Sequence, residues 1–221
     1  MIKPLTSYDR IIWDFNGTIL DDVWHGIRCV NCLLKKRGLK EITDLEYYYE
    51  VFGFPIEDYY RRLGLLEHED YQVVAHEWIE EYRRGEKHIP ARPSAVKLLS
   101  AIHQKGVPQS VLSATELSML HEQLTYLGIL PLFDFVLGRG DIYAADKTSI
   151  AKAFRDTHPH ENILMIGDTD HDYHTAKAAD FECVLVAGGH QSLTYLKTLG
   201  CDTMPDFETL GGALLGTALD S

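Results

Sequence analysis

The chain has 221 residues, 33 of them acidic against 21 basic, with a formal charge of −12. That balance excludes a general nucleic-acid binder, whose phosphate contacts need clustered Lys and Arg. The 45% hydrophobic content is that of a globular protein, and four cysteines in a chain of this length are not the disulfide framework of a small secreted domain.

Residues 9–14 read as the first strand, apolar on both faces as in a parallel sheet. It runs into "DFNGTILDD", residues 14–22, an acid followed by a glycine-centred turn and two more acids. Residues 22–37 read as a helix, with Asp22 as N-cap and Gly38 as the stop. From 43 to about 85 the chain stays helical and aromatic, with no strand alternation. Past Pro90 and Pro93 a regular alternation begins: helix 94–105, strand 108–113, helix 116–127, strand 133–137, helix 147–157, strand 162–167, helix 172–179, strand 181–186, helix 191–199 and a short strand at "CDTM". Such alternation predicts an α/β fold, a Rossmann-like doubly wound parallel sheet. The core spans 1–21 and 88–221, and residues 22–87 form a helical insertion after the first strand. Ligands of open α/β sheets bind at the carboxyl ends of the strands, where an inserted lobe serves as a lid.

The residues after those strand ends carry chemistry. The first strand presents Asp14 and Asn16, the second Ser113, and the fourth Asp168 and Asp172, while Lys147 opens the helix after the third. Clustered carboxylates repel and so signal a bound cation. Oxygen ligands with one or two carboxylates suit Mg²⁺. A carboxylate beside a metal also serves as a nucleophile that forms an aspartyl-phosphate. Lys147 and Ser113 are suited to hold phosphoryl oxygens.

In motif order and spacing the chain resembles the haloacid dehalogenase superfamily, closest to its phosphoglycolate-phosphatase-like members with a helical cap. "DFNGT" resembles the nucleophile motif, "VLSAT" the Ser/Thr motif, Lys147 the basic motif and "IGDTDHD" the metal motif. The resemblance implies Asp14 as nucleophile and Mg²⁺ ligand, the Asn16 main-chain carbonyl, Asp168 and Asp172 as further ligands, and Ser113 and Lys147 as phosphoryl binders. Gly17, Thr18 and Ala114 belong to the same substrate site. On the cap, "FGFPIEDYYRR" corresponds to the specificity loop, with Phe52, Phe54 and Arg61 against the leaving group.

One position departs from the family. The phosphatases carry an acid two residues after the nucleophile, and here it is Asn16. An amide carries no proton, and general acid–base catalysis contributes about 10²–10⁴-fold. The expected protein is therefore a Mg²⁺-dependent phosphoric monoester hydrolase, slowed at this step, acting on a small phosphorylated metabolite. Two alternatives stand beside it: a phosphonate-cleaving hydrolase using a cap lysine (Lys35, Lys36, Lys40 or Lys87), and a non-catalytic phosphoryl-binding protein. Asn16-Gly17 is also a deamidation-prone pair that would regenerate an acid. Cys29-x-x-Cys32 has redox or metal spacing, but i and i+3 share a helix face and packing explains them. With no signal-peptide-like start and no apolar run of membrane-spanning length, the expected setting is cytoplasmic, without membrane or nucleic-acid partners, as monomer or homodimer.

Overall fold

A computed structural model describes residues 2–140 and 146–216. In chain order the strand β1 (Arg10–Trp13) precedes four helices, α1 (Val23–Lys36), α2 (Leu45–Val51), α3 (Ile56–Arg62) and α4 (Tyr71–Gly85). Then come α5 (Pro93–Gln104), β2 (Gln109–Glu116), α6 (Leu117–Tyr126), β3 (Phe135–Arg139), α7 (Lys147–Thr157), β4 (Ile163–Gly167) and α8 (Asp170–Ala178). The chain ends in β5 (Glu182–Val186), α9 (Leu193–Leu196), β6 (Asp202–Met204) and α10 (Phe207–Leu215). It divides into two compact units, Met1–Asp21 with Pro90–Ser221, and Asp22–Ile89.

The first unit is built on a six-stranded parallel sheet in the order β3-β2-β1-β4-β5-β6. This is the Rossmann-like doubly wound topology, in which the strand order reverses beside β1. All four β1 residues are buried, which explains a strand without polar alternation. On one face Ile12, Leu112 and Met165 pack with Ile150 and Phe154 of α7 and Ala176 of α8. Trp13 stacks on Phe207 of α10 with ring centroids 6.3 Å apart. Its indole N–H donates to Gln109 Oε1 at 3.0 Å, and Gln109 Nε2 donates to the Leu99 carbonyl at 3.0 Å. The Trp13 and Gln109 side chains are thus paired, as a low-dielectric interior favours.

The two passages of chain between the units run side by side within the first one. Leu20 and Ala91 form an antiparallel bridge. Asp21 N–H donates to the Pro90 carbonyl (2.9 Å) and Arg92 N–H to that of Ile19 (2.8 Å). The second unit is wholly helical, with Val30, Leu33, Leu34, Tyr59, Leu65 and Val74 in its core. Cys29 is buried there and burial pushes its thiol up to about 12, the behaviour of a packed rather than reactive cysteine.

Several local readings shift. Asp22 holds the N-cap position of α1 without a side-chain cap bond, and its Oδ2 accepts from the Tyr82 hydroxyl at 3.0 Å. Helix α8 starts earlier than expected. Thr169 is its N-cap and Asp172, at N3, completes a capping box. β2 continues three residues beyond Ser113, and β3 begins at Phe135 because residues 130–132 form a 3₁₀ turn. Helix α10 was not anticipated, since Gly211 and Gly212 interrupt its sequence with poor helix formers.

Candidate active site

The site grows from the carboxyl end of β1. Asp14 N–H donates to the Ile166 carbonyl at 2.8 Å, so the residue past the strand is still held by β4. The chain then folds back on itself. The N–H groups of Ile19 and Leu20 both donate to the Phe15 carbonyl, and Gly17 N–H donates to that of Leu20 at 3.1 Å. Gly17 has φ +76°, and a Cβ there would run into the Asp168 carboxylate and the His190 ring. Only glycine meets both demands. Thr18 Oγ1 donates to Asp168 Oδ1 at 2.9 Å, tying the turn to the end of β4. Succinimide formation at Asn16 needs the Gly17 nitrogen to reach the Asn16 side chain. Its bond to Leu20 opposes that, so the turn works against deamidation.

At the end of β4 the backbone wraps the Asp172 carboxylate. Asp172 Oδ2 accepts from the N–H of Asp168 (3.1 Å), the N–H of Thr169 (3.0 Å) and Thr169 Oγ1 (2.8 Å). Asp168 Oδ2 accepts from His190 N–H at 2.6 Å. A Cβ on Gly167 would overlap Asp172, and one on Gly189 would overlap Asp168. The glycines therefore let the backbone close around the carboxylates.

Lys147 is buried at the start of α7. Its ammonium donates to Asp14 Oδ1 and, at 2.5 Å, to Asp172 Oδ1. Burial alone would lower it, but Asp14 and Asp172 outweigh that and hold it protonated. Burial and the Asp172 charge raise Asp14, against the pull of Lys147. Burial and Asp172 likewise raise Asp168, against His190 and Thr18. For Asp172 burial is overcome by Lys147 and Thr169, and its carboxyl stays below the ordinary range. Asp14 Oδ2 is buried and has no hydrogen-bond partner among the described residues.

The donor set fits a divalent cation. Asp14, Asp168 and Asp172 each offer an oxygen, all within 4.8 Å of one another. Three buried carboxyl groups share one ammonium, so a cation would offset the repulsion among their ionised forms. An all-oxygen, carboxylate-rich set is the chemistry Mg²⁺ takes.

On the other side of β1, β2 carries Ser113 and Thr115. The β2–β3 register shifts between Leu112 and Glu116, opposite Leu137 and Arg139. This irregularity at the strand's end brings both hydroxyls to Asn16. Thr115 Oγ1 donates to Asn16 Oδ1 at 2.9 Å and Ser113 Oγ to the same oxygen at 3.2 Å. Ala114 between them is exposed.

The fold thus gathers Asp14, Asn16, Gly17, Thr18, Ser113, Ala114, Lys147, Asp168 and Asp172 along one sheet edge. Phe52, Phe54 and Arg61 belong to the helical unit. Phe52 packs in an aromatic group with Tyr48 (5.1 Å), Tyr59 (5.2 Å) and Phe54 (5.6 Å). Arg61 pairs with Glu57 (2.8 Å) and Asp58 on its own helix. Lys35, Lys36, Lys40 and Lys87 are all exposed, whereas a Schiff-base lysine needs burial or a cationic neighbour to lose its proton. Sequence reading missed Thr115, Thr169, Gly189 and His190. The Gly188-Gly189-His190 run directly beyond the fifth strand was the available signal.

A doubly wound sheet with this acid–lysine cluster at its switch point defines a hydrolase core of the phosphoryl-handling class. The sequence profile of the haloacid dehalogenase-like hydrolases matches residues 11–186, and the chain belongs to that family. No curated protein matches it in sequence. Among solved structures it is similar to a haloacid dehalogenase-like family hydrolase from Streptococcus pneumoniae, at 20% identity and TM-score 0.76, covering 90% of this chain and 94% of that one. It is also similar to a protein assigned as a phosphoglycolate phosphatase from Lactobacillus delbrueckii (20% identity, TM-score 0.73, 96% and 100% covered). CbbY from Rhodobacter sphaeroides, solved with phosphate, matches at 19% identity and TM-score 0.69, with 92% and 96% covered. No helix among the described residues is long and apolar enough to cross a membrane.

Proposed function

We propose that the chain is a Mg²⁺-dependent phosphoric monoester hydrolase that acts on a small phosphorylated metabolite through an aspartyl-phosphate. The observation that carries this is the buried, unpartnered Asp14 Oδ2, set beside Asp168 and Asp172 while Lys147 holds the other Asp14 oxygen. In this reading the inserted helical unit is the cap, and the protein is cytoplasmic.

Asp14, Asp168, Asp172 and the Asn16 main-chain carbonyl would hold the cation. When bound it neutralises charge developing on the phosphoryl oxygens. Asp14 Oδ2 forms the new bond to phosphorus as the substrate oxygen departs with its electron pair. Lys147 fixes Asp14 in position and offsets negative charge, and Ser113 orients the phosphoryl group. Water then attacks the acyl phosphate and releases Asp14. Asn16 neither donates nor removes a proton, so leaving groups that depart as stable anions are favoured and aspartyl-phosphate accumulates.

Phosphate release from a panel of aryl and alkyl phosphates, with Mg²⁺ and after its chelation, tests the reading. We expect Mg²⁺-dependent turnover, faster on aryl than alkyl substrates, lost in Asp14→Asn and raised on alkyl substrates in Asn16→Asp. Unchanged turnover in Asp14→Asn refutes the nucleophile assignment. Equal aryl and alkyl rates refute the role given to Asn16.

A further inference from the structure

We propose that Thr115 is a positioning residue that, with Ser113, fixes the Asn16 amide so that Asn16 serves the reaction as an oriented N–H donor. The inference rests on the phosphoryl-transfer reading above.

The hydroxyl network has a single direction. Thr115 N–H donates to Ser113 Oγ at 3.0 Å. Ser113 Oγ lies 3.0 Å from Thr115 Oγ1 and 3.2 Å from Asn16 Oδ1. Each hydroxyl has one proton to give. Before a phosphoryl group engages it, Ser113 gives its proton to Thr115 or to Asn16, and Thr115 gives its own to Asn16 Oδ1 at 2.9 Å. By either route the amide oxygen is the acceptor. In a planar amide whose oxygen accepts from these hydroxyls, the nitrogen is the donor end. Chains of this kind strengthen one another.

The backbone is built for this arrangement. Ser113 and Thr115 are two apart and so share a face of β2. The register shift at this end of the strand re-aims them. At this end the close of β2 and the start of α6 lie so near β3 that a Cβ on Gly138 would be 2.9 Å from the Thr115 carbonyl oxygen and 2.9 Å from Leu117 Cα. Glycine at 138 is the local condition for Thr115 to stand where it does.

The chemical consequence is specific. An oriented N–H stabilises negative charge on an oxygen by hydrogen bonding, with no proton transferred. Thr115 bonds the Asn16 side chain and Ser113 in this network, not the carboxylates of Asp14, Asp168 or Asp172. Its loss should therefore act on kcat through Asn16 and leave KM in place.

The test is a double-mutant cycle in the full-length protein with Mg²⁺ and an alkyl phosphate. Thr115→Val keeps the shape and removes the hydroxyl. We expect kcat to fall about 3- to 10-fold, as for one hydrogen bond lost, with KM within about 2-fold. Thr115→Ser should restore it. In an Asn16→Ala background Thr115→Val should cost nothing more. Independent, multiplying losses overturn the proposal, as does failure of Thr115→Ser to rescue. A readout free of turnover accompanies this: the ¹H–¹⁵N side-chain amide pair of Asn16 should move in Thr115→Val and return in Thr115→Ser. An unmoved pair overturns the proposal whatever the activity. Failure of the phosphatase reading shows separately, as absence of phosphate release that depends on Mg²⁺ and Asp14.

Discussion

Replacing Lys147 with methionine is the sharpest perturbation of the charge arrangement. The ammonium is buried between Asp14 and Asp172, and its removal leaves three buried carboxylates facing one another. Breaking a buried pair by deleting one partner costs about 3–5 kcal/mol. In a chain of this size each kcal/mol lowers the melting temperature by about 2–4 °C, so the variant should melt roughly 6–20 °C below wild type at pH 7.5. The pH dependence fixes the cause. In wild type Asp172 is held below its ordinary value of 3.8. Its contribution is present above that value and is lost as pH falls through the lowered one. Without Lys147 the carboxylates face only burial and mutual repulsion, and their folded pKa values rise. An acid raised in the folded state contributes stability below its unfolded pKa that is lost as pH rises through the folded one. The variant should therefore gain more stability than wild type between pH 7.5 and 5. Mg²⁺ should restore part of the loss at pH 7.5 by binding only the folded form. Thermal melts at both pH values, with and without Mg²⁺, read all of this. A variant melting within about 3 °C of wild type at pH 7.5, or showing the same pH dependence, refutes the charge-balance reasoning.

Gly17→Ala should lose phosphate release and weaken Mg²⁺ binding in isothermal titration. It combines φ +76° with a collision against Asp168 and His190, and the left-handed backbone alone costs about 1–2 kcal/mol. Wild-type Mg²⁺ affinity in this variant contradicts the assignment of Asp168. His25 supplies a pH probe in the helical unit. Its Nδ1 accepts from Arg28 at 2.8 Å, which leaves Nε2–H to donate to the Tyr82 carbonyl at 3.0 Å. Burial first, then Arg28, lowers its pKa below 6.5, against Asp22 and the Tyr82 carbonyl. That stability is full above about 6.5 and is lost as pH falls through the lowered folded value. Denaturant unfolding from pH 7.5 to 5 should show a steeper loss in wild type than in His25→Gln, and equal slopes count against it.

The architecture was legible because β1 and β4 are apolar on both faces and because turn and helix signals punctuate every unit after Pro90. The acids at strand ends could be placed on one sheet edge from the sequence, since parallel strands in a doubly wound sheet end on the same side. Boundaries set by capping chemistry were less visible. "DTDHD" offers three acids and a threonine as candidate caps for α8, and only the pairing of Thr169 with Asp172 across the first turn selects between them. That choice matters to the site. An Asp172 used as the N-cap would spend its oxygens on the helix end, whereas at N3 it keeps Oδ1 for Lys147.

The setting of Asn16 was hidden for a different reason. The sequence identifies an amide where the family has an acid, and nothing local says what the amide touches. Its partners lie 97 and 99 residues away, and their reach depends on a register shift between β2 and β3, a property of two strands together. Gly138 is the one trace of it in the chain, and a lone glycine in a strand has several explanations. With the hydroxyls in place, Asn16 is more than an acid lost. Its oxygen is engaged by the Thr115 hydroxyl with Ser113 beside it, an arrangement that an ionised Asp would accept equally well but with a negative charge set beside Asp14. The amide accepts the same bonds without that charge. Where Asp14 and Asp168 are already pushed upward by burial and by Asp172, a neutral residue at position 16 spares the cluster a fourth carboxylate and a further upward push on Asp14, at the expense of the proton that an acid would supply.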